Sequence, residues 1–313
     1  MMNSAFGDLE RLARNGDIRL GYVIGPARTN STVVARLFGR HADAVIYEPA
    51  LPVSPIGREH YARTLLAAYR RLRKQVVGRP VDLVVKDLSL FVDPGMLDFI
   101  DEHAGRIVVT IREPAAQHAS LVRQMRHEFS IPQRIDALMR YPVEVTMLLL
   151  AWIRLGPQFG RTAKRVLGPG VMGPAGRAIA GWNIESWQKL EAQLQRLSCR
   201  TNRCTILDAS QMRQAPEAAA AVLDELAQQM GFCSKGTPLE IAAHSRMKPR
   251  SAWAQQALRS VRIEPQGKSP TPVPPLPAPL TAALAPIYRQ LLADPRNPLA
   301  GLDHAAAGFS PAA

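Results

Sequence analysis

The stretch Ile18-Arg19-Leu20-Gly21-Tyr22-Val23-Ile24-Gly25-Pro26-Ala27-Arg28-Thr29-Asn30-Ser31-Thr32 decides how this chain is read. Ile18 to Ile24 is an apolar run of strand length, stopped by Gly25 and Pro26. The loop Gly25 to Asn30 carries a cation, Arg28, and two hydroxyl residues, Ser31 and Thr32, then open a segment to Gly39 that reads as a helix. A strand that feeds a short cationic loop into a helix start suits a phosphate. Backbone N–H groups at the helix N-terminus point at the anion, and the helix dipole adds to the attraction. Arg28 supplies fixed charge, and the hydroxyls of Ser31 and Thr32 can donate hydrogen bonds. The plainer alternative is that Ser31 is only an N-cap. No Lys directly precedes Ser31 or Thr32, so the Walker pattern is absent, which counts against an ordinary ATPase or GTPase.

Outward from this stretch the chain alternates apolar runs with amphipathic ones. Strands are expected at Ala44 to Tyr47, Asp82 to Lys86, Arg106 to Ile111 and Arg203 to Leu207. Helices are expected at Glu59 to Val76, Pro94 to His103, Pro114 to His127 and Pro216 to Met230. The middle, from about Ile131 to Leu197, reads as mostly helical. This βα rhythm implies an α/β fold with a mostly parallel, three-layer sheet flanked by helices, whose ligands bind at the carboxyl ends of the strands. One domain is expected over residues 1–264, then a Pro-rich linker at 265–279, then a helix from Leu280 to Ala293 and a small-residue tail at 280–313.

Composition narrows the function. With 313 residues and 47% hydrophobic content, the chain can bury a large core. The start of the sequence has no apolar run of signal-peptide type, and the greasiest stretch, Val143 to Leu155, is too short to span a bilayer. Cys199, Cys204 and Cys233 form no CxxC pair, so neither a zinc site nor a disulfide framework is expected and a cytoplasmic setting fits. A net charge of +13, from 39 Lys+Arg against 26 Asp+Glu, favours polyanions. The basic residues are spread along the chain and no nucleic-acid module is present, which points to a phosphorylated small ligand and away from nucleic acid.

A second anion loop follows the fourth strand. Arg112 stands at the strand end, and Ser120 lies eight residues on, about two helical turns into the next element. A guanidinium and a hydroxyl converging there would hold a second phosphate. The alternative is an Arg112 paired with Glu113 and a Ser120 facing water. Two further residues sit where chemistry is expected. Lys86 ends the third strand and Glu48 follows the second. A partly buried carboxylate at Glu48 would act as a general base, with Asp87 in reserve. Against this, Lys86 could simply reach solvent, and Glu48 could pair with a nearby Arg.

Together these loops resemble the family of sulfotransferases that use 3′-phosphoadenosine 5′-phosphosulfate (PAPS). Arg28, Thr29, Ser31 and Thr32 match its 5′-phosphosulfate loop, and Asn30 stands where Gly is usual. Asn tolerates positive φ, so the loop survives the change. Arg112 and Ser120, with Arg-Glu-Pro for the usual Arg-Asp-Pro, match its 3′-phosphate loop. Arg246, Lys248 and Trp253 resemble its late basic segment, with Lys248 shifted by one. Lys86 resembles the lysine beside the transferring group. The His found two residues later in one branch is absent, that place being Leu88; Glu48 matches the base of another branch. The resemblance implies a P-loop NTPase-like sulfotransferase fold, PAPS as co-substrate and no metal. The acceptor, small molecule, glycan or lipid, is left open, as is oligomeric state. A P-loop kinase and a non-catalytic PAPS-binding protein are the competing readings.

Overall fold

The structure, a computed structural model, describes residues 4–50, 57–128, 176–197, 203–234, 237–242, 263 and 275–300. Its centre is a sheet of β1 (Ile18–Gly25), β2 (Ala44–Tyr47), β3 (Val81–Leu88), β4 (Ala104–Ile111), β5 (Cys204–Asp208) and β6 (Leu239–Ala242). The strand order is β5-β4-β1-β3-β2-β6, and every pairing is parallel. The strands are apolar at nearly every position because both faces of the sheet are covered.

Alternation of side chains divides the core in two. Leu20, Tyr22 and Ile24 of β1, Leu83 and Val85 of β3, and Ile107 and Val109 of β4 pack on one face. They meet α1 (Ala5–Arg14), α3 (Gly57–Arg73), α4 (Pro94–His103), α6 (Gly176–Leu197) and α9 (Ala278–Leu292). Val23, Val84 and Val108 face the other way, against α2 (Ser31–Phe38), α7 (Ala209–Gln214) and α8 (Pro216–Gln229). The three-layer α/β architecture expected from the sequence is therefore the one observed. Truncating a fully buried member such as Leu83 to Ala should cost about 2–5 kcal/mol.

Several boundaries differ from the sequence reading. β3 runs on to Leu88, so Lys86 lies inside the strand, not at its end. β6 was not foreseen, since Leu239-Glu240-Ile241-Ala242 is short and interrupted by a charge. Glu240 is accommodated because Arg36 of α2 donates to both of its carboxylate oxygens, each at 2.6 Å. α1 was also not foreseen. Its apolar signal is short, Phe6 and Leu9, and Ser4 caps it through the Gly7 amide. α9 buries Leu280, Leu284, Ile287 and Leu291 in the same core as α1 and α3, a stripe at helical spacing.

Two features of this fold position a site. α2 leaves β1 toward one face, while α5 (Pro114–Glu128) leaves the adjacent β4 and packs against α6 and α9 on the other. Neighbouring strands whose helices diverge open a crevice at their carboxyl ends. At the mouth of that crevice β1 and β4 approach closely. A Cβ on Gly25 would sit 2.3 Å from the Thr110 carbonyl oxygen and 2.4 Å from its hydroxyl.

Candidate functional site

The loop after β1 is held by its carbonyls. Thr29, fully buried, donates its hydroxyl to the Pro26 carbonyl at 2.8 Å and lies 2.7 Å from the Thr110 hydroxyl on β4. Gln117 of α5 donates to the Ala27 carbonyl at 2.7 Å, and Arg112 reaches the Arg28 carbonyl at 3.4 Å. With three successive carbonyls engaged from outside, the amides are left to the other side of the loop. Arg28 has φ 72° and Asn30 φ 62°, with Thr29 between them outside the left-handed region. Alternation of left-handed and other backbone conformations is the geometry that can turn successive N–H groups toward one point. Asn30 takes the positive φ that the sequence reading asked of it. It occupies the N-cap position, yet makes no side-chain cap hydrogen bond. Ser31 is therefore the first helical residue, not the cap, and its side chain is buried at the helix start with Thr32 half-buried beside it.

The loop after β4 is built differently. Glu113 turns its carboxylate onto its own helix, accepting from the Ala115 amide at 2.9 Å and the Ala116 amide at 2.6 Å. It thus caps α5 and forms no ion pair with Arg112. Among the described residues no ion pair claims Arg112 at all. Burial and the neighbouring Arg213 push its pKa down to about 10, while Asp208 and Glu113 pull the other way. Arg112 stays protonated at neutral pH and is half-buried. Ser120 faces the first loop, accepting from Arg28 Nε at 3.3 Å. Arg28 is therefore brought against Arg112 and Ser120, which are far from it in sequence.

Lys86 and Glu48 form the third part. Lys86 is on the α2 side of the sheet, one step beyond Val84 and level with Val23 and Tyr47. It is buried, and its ammonium forms an ion pair with Glu48. Glu48 follows β2 with φ 55°, and its amide donates to the Lys86 carbonyl at 2.6 Å. Among the described residues, Arg28, Asn30 and Glu48 are the non-glycine residues with positive φ, and all three stand in these loops. Such backbone conformations persist where the surroundings enforce them, and they gather at functional sites.

Asp87 does not join this group. Alternation turns it to the opposite face, where it is fully buried and accepts from the Tyr22 hydroxyl and, at 2.9 Å, from the Ala50 amide. That placement removes it as a reserve base. Arg246, Lys248 and Trp253 lie outside the described residues. His118, in α5, is half-buried, and among the described residues its Nδ1 has no hydrogen-bond partner.

Two participants escaped the sequence reading. Arg213 belongs to α7, after the edge strand β5, and only the β4–β5 pairing brings it near Arg112. Gln117 lies one helical turn before Ser120 and reads as an ordinary helix polar residue until its bond to the Ala27 carbonyl is seen. Among the described residues, no helix is long and apolar enough to cross a membrane.

No protein-family model matches this sequence, and no curated protein matches it. Among solved structures, the chain is similar to a sulfotransferase from Alicyclobacillus acidocaldarius. The alignment covers 87% of this chain and 94% of that one, at 15% identity and a TM-score of 0.42.

Proposed function

We propose that this chain is a sulfotransferase that takes the sulfuryl group from PAPS and passes it to a hydroxyl or amine acceptor. One observation carries the reading: Arg28, Arg112 and Ser120 meet beside the start of α2, whose N-cap Asn30 makes no side-chain cap hydrogen bond, and the Lys86–Glu48 pair stands on the adjacent strands. The donor carries a 5′ phosphosulfate and a 3′ phosphate, and the loops after β1 and β4 each contribute a cation, Arg28 and Arg112. The α2 amides, Arg28 and Lys86 suit the 5′ phosphosulfate. Arg112 and Ser120, with Arg213 close to Arg112, suit the 3′ phosphate that distinguishes this nucleotide from AMP or ATP. Thr29 acts through the loop, since its hydroxyl is spent on Pro26 and Thr110.

In this reading the bond between sulfur and the bridging phosphate oxygen breaks as a bond from the acceptor oxygen or nitrogen to sulfur forms. Negative charge grows on the departing phosphate, where Lys86, Arg28 and the loop amides stabilise it. The acceptor's proton passes to Glu48. Fixed cations and backbone dipoles supply the electrostatics, and the crevice supplies alignment.

The deciding experiment is calorimetric titration with adenosine 3′,5′-bisphosphate, run against AMP and ATP without added metal. Selective binding of the bisphosphate is expected. Preference for ATP with magnesium would put a kinase in its place. Bisphosphate binding that Glu48→Gln leaves intact, together with normal turnover in that variant, would remove Glu48 as the base.

A further inference from the structure

Lys86 and Asp87 are consecutive residues on opposite faces of β3, and both reach the segment 48–50. Lys86 binds Glu48 through its ammonium and through its carbonyl. Asp87, from the other face, accepts from the Ala50 amide two residues further on. The turn that carries Glu48 is therefore gripped at both ends by adjacent residues of one strand. Its positive φ at Glu48 is a conformation that an unsupported turn would leave. The rest of the surroundings of Asp87 is fixed as well. Tyr22 of β1 donates its hydroxyl to the carboxylate, and Tyr61 of α3, fully buried in the same core, is close enough to feel its charge.

We infer that Asp87 is a positioning residue that sets Glu48 against Lys86 and transmits its own charge state to Glu48. The inference rests on the reading of Glu48 as the base. Among the described residues, the titratable groups acting on Asp87 are Tyr22 from β1 and Tyr61 from α3 on its own face, and Lys86 and Glu48 on the other. Burial raises the Asp87 pKa to about 7; the Tyr22 hydroxyl, the Ala50 amide and Lys86 hold it back, and Glu48 adds to the rise. As pH rises through that value Asp87 gains charge. The ionised carboxylate accepts both hydrogen bonds in full and places a negative charge behind Glu48, which strengthens Glu48 as a proton acceptor. Below it, the carboxyl must keep a proton and loosens its hold on Ala50. Base strength and the geometry of the turn thus change together.

The test is a carboxyl-carbon and amide NMR titration of the full chain from pH 5 to 9, with Glu48→Gln used for assignment. Both the Glu48 carboxyl signal and the Ala50 amide signal should show a step near neutrality in the unmodified protein and lose it in Asp87→Asn. Should Asp87→Asn fail to fold, Tyr22→Phe replaces it. Removing a donor to the ionised form should then move the step to higher pH. Absence of the step in the unmodified protein, its persistence in Asp87→Asn, or an unmoved step in Tyr22→Phe would overturn the inference. The readout needs no nucleotide. A chain that shows the step but ignores adenosine 3′,5′-bisphosphate would overturn the sulfotransferase reading alone. One that binds the bisphosphate without the step would overturn only the role of Asp87.

Discussion

The loops after β1 and β4 stand side by side at the same end of the sheet, and they use their helix starts in opposite ways. In the first, the N-cap Asn30 of α2 makes no side-chain cap hydrogen bond and the carbonyls of Pro26, Ala27 and Arg28 are engaged by side chains, so that in the proposed function its amides would meet the nucleotide. The second satisfies its own amides with Glu113 and presents side chains instead: Arg112, Gln117 and Ser120. A helix start is an anion site only when its amides are unclaimed. On the proposed function, two loops of similar outward form would divide the work, one binding through backbone dipoles and the other through a guanidinium.

This division can be broken experimentally, the largest effect being at the side-chain end. Replacing Arg112 by Ala should weaken adenosine 3′,5′-bisphosphate binding by roughly 2–4 kcal/mol, or about 30- to 1000-fold, with little change in AMP binding. Calorimetry with both nucleotides checks this, and equal losses for both would place Arg112 outside the 3′-phosphate pocket. At the backbone end, Gly25→Ala should lower stability by about 1–3 kcal/mol in denaturant unfolding, because the new methyl meets the Thr110 carbonyl and β1 must move away from β4. An unchanged unfolding midpoint would mean the two strands separate there without penalty.

Smaller effects sharpen the contrast between the two helix starts. Glu113→Ala removes the α5 cap and should cost about 1 kcal/mol of stability. Bisphosphate affinity should hold if Glu113 serves only its helix. Asn30→Gly removes a side chain that caps nothing and relieves a left-handed residue, at the expense of a more flexible unfolded chain. The net change should stay within about 0.5 kcal/mol. Asn30→Val, which forces a β-branched residue into that conformation, should be the destabilising member of the pair.

Much of this was open to sequence reading, and the reason is local. A strand, a Gly-Pro stop and hydroxyls at a helix start are short-range signals, so the first loop could be read directly, including the need for Asn30 to tolerate positive φ. Arg112 and Ser120 were expected to share one pocket across eight residues of strand end and helix; in the structure both bond Arg28, Arg112 at its carbonyl and Ser120 at its Nε. Lys86 was placed well enough to matter, although β3 continues past it to Leu88. The choice between Glu48 and Asp87 was not readable in this way. Both are carboxylates beside the same lysine in any local view.

The sequence by itself determined a parallel α/β sheet and the position along the chain of the loops that follow β1 and β4, because apolar periodicity and turn residues act over a few positions. Only the tertiary structure decided what those loops share. The strand order seats β1 between β3 and β4, and thereby brings Arg28 against Ser120 and Arg213 near Arg112. The pleat of β3 sends Lys86 to the crevice and Asp87 to the core. The physical reason is that charge, burial and hydrogen bonding depend on distance in space, which a linear order of residues does not contain.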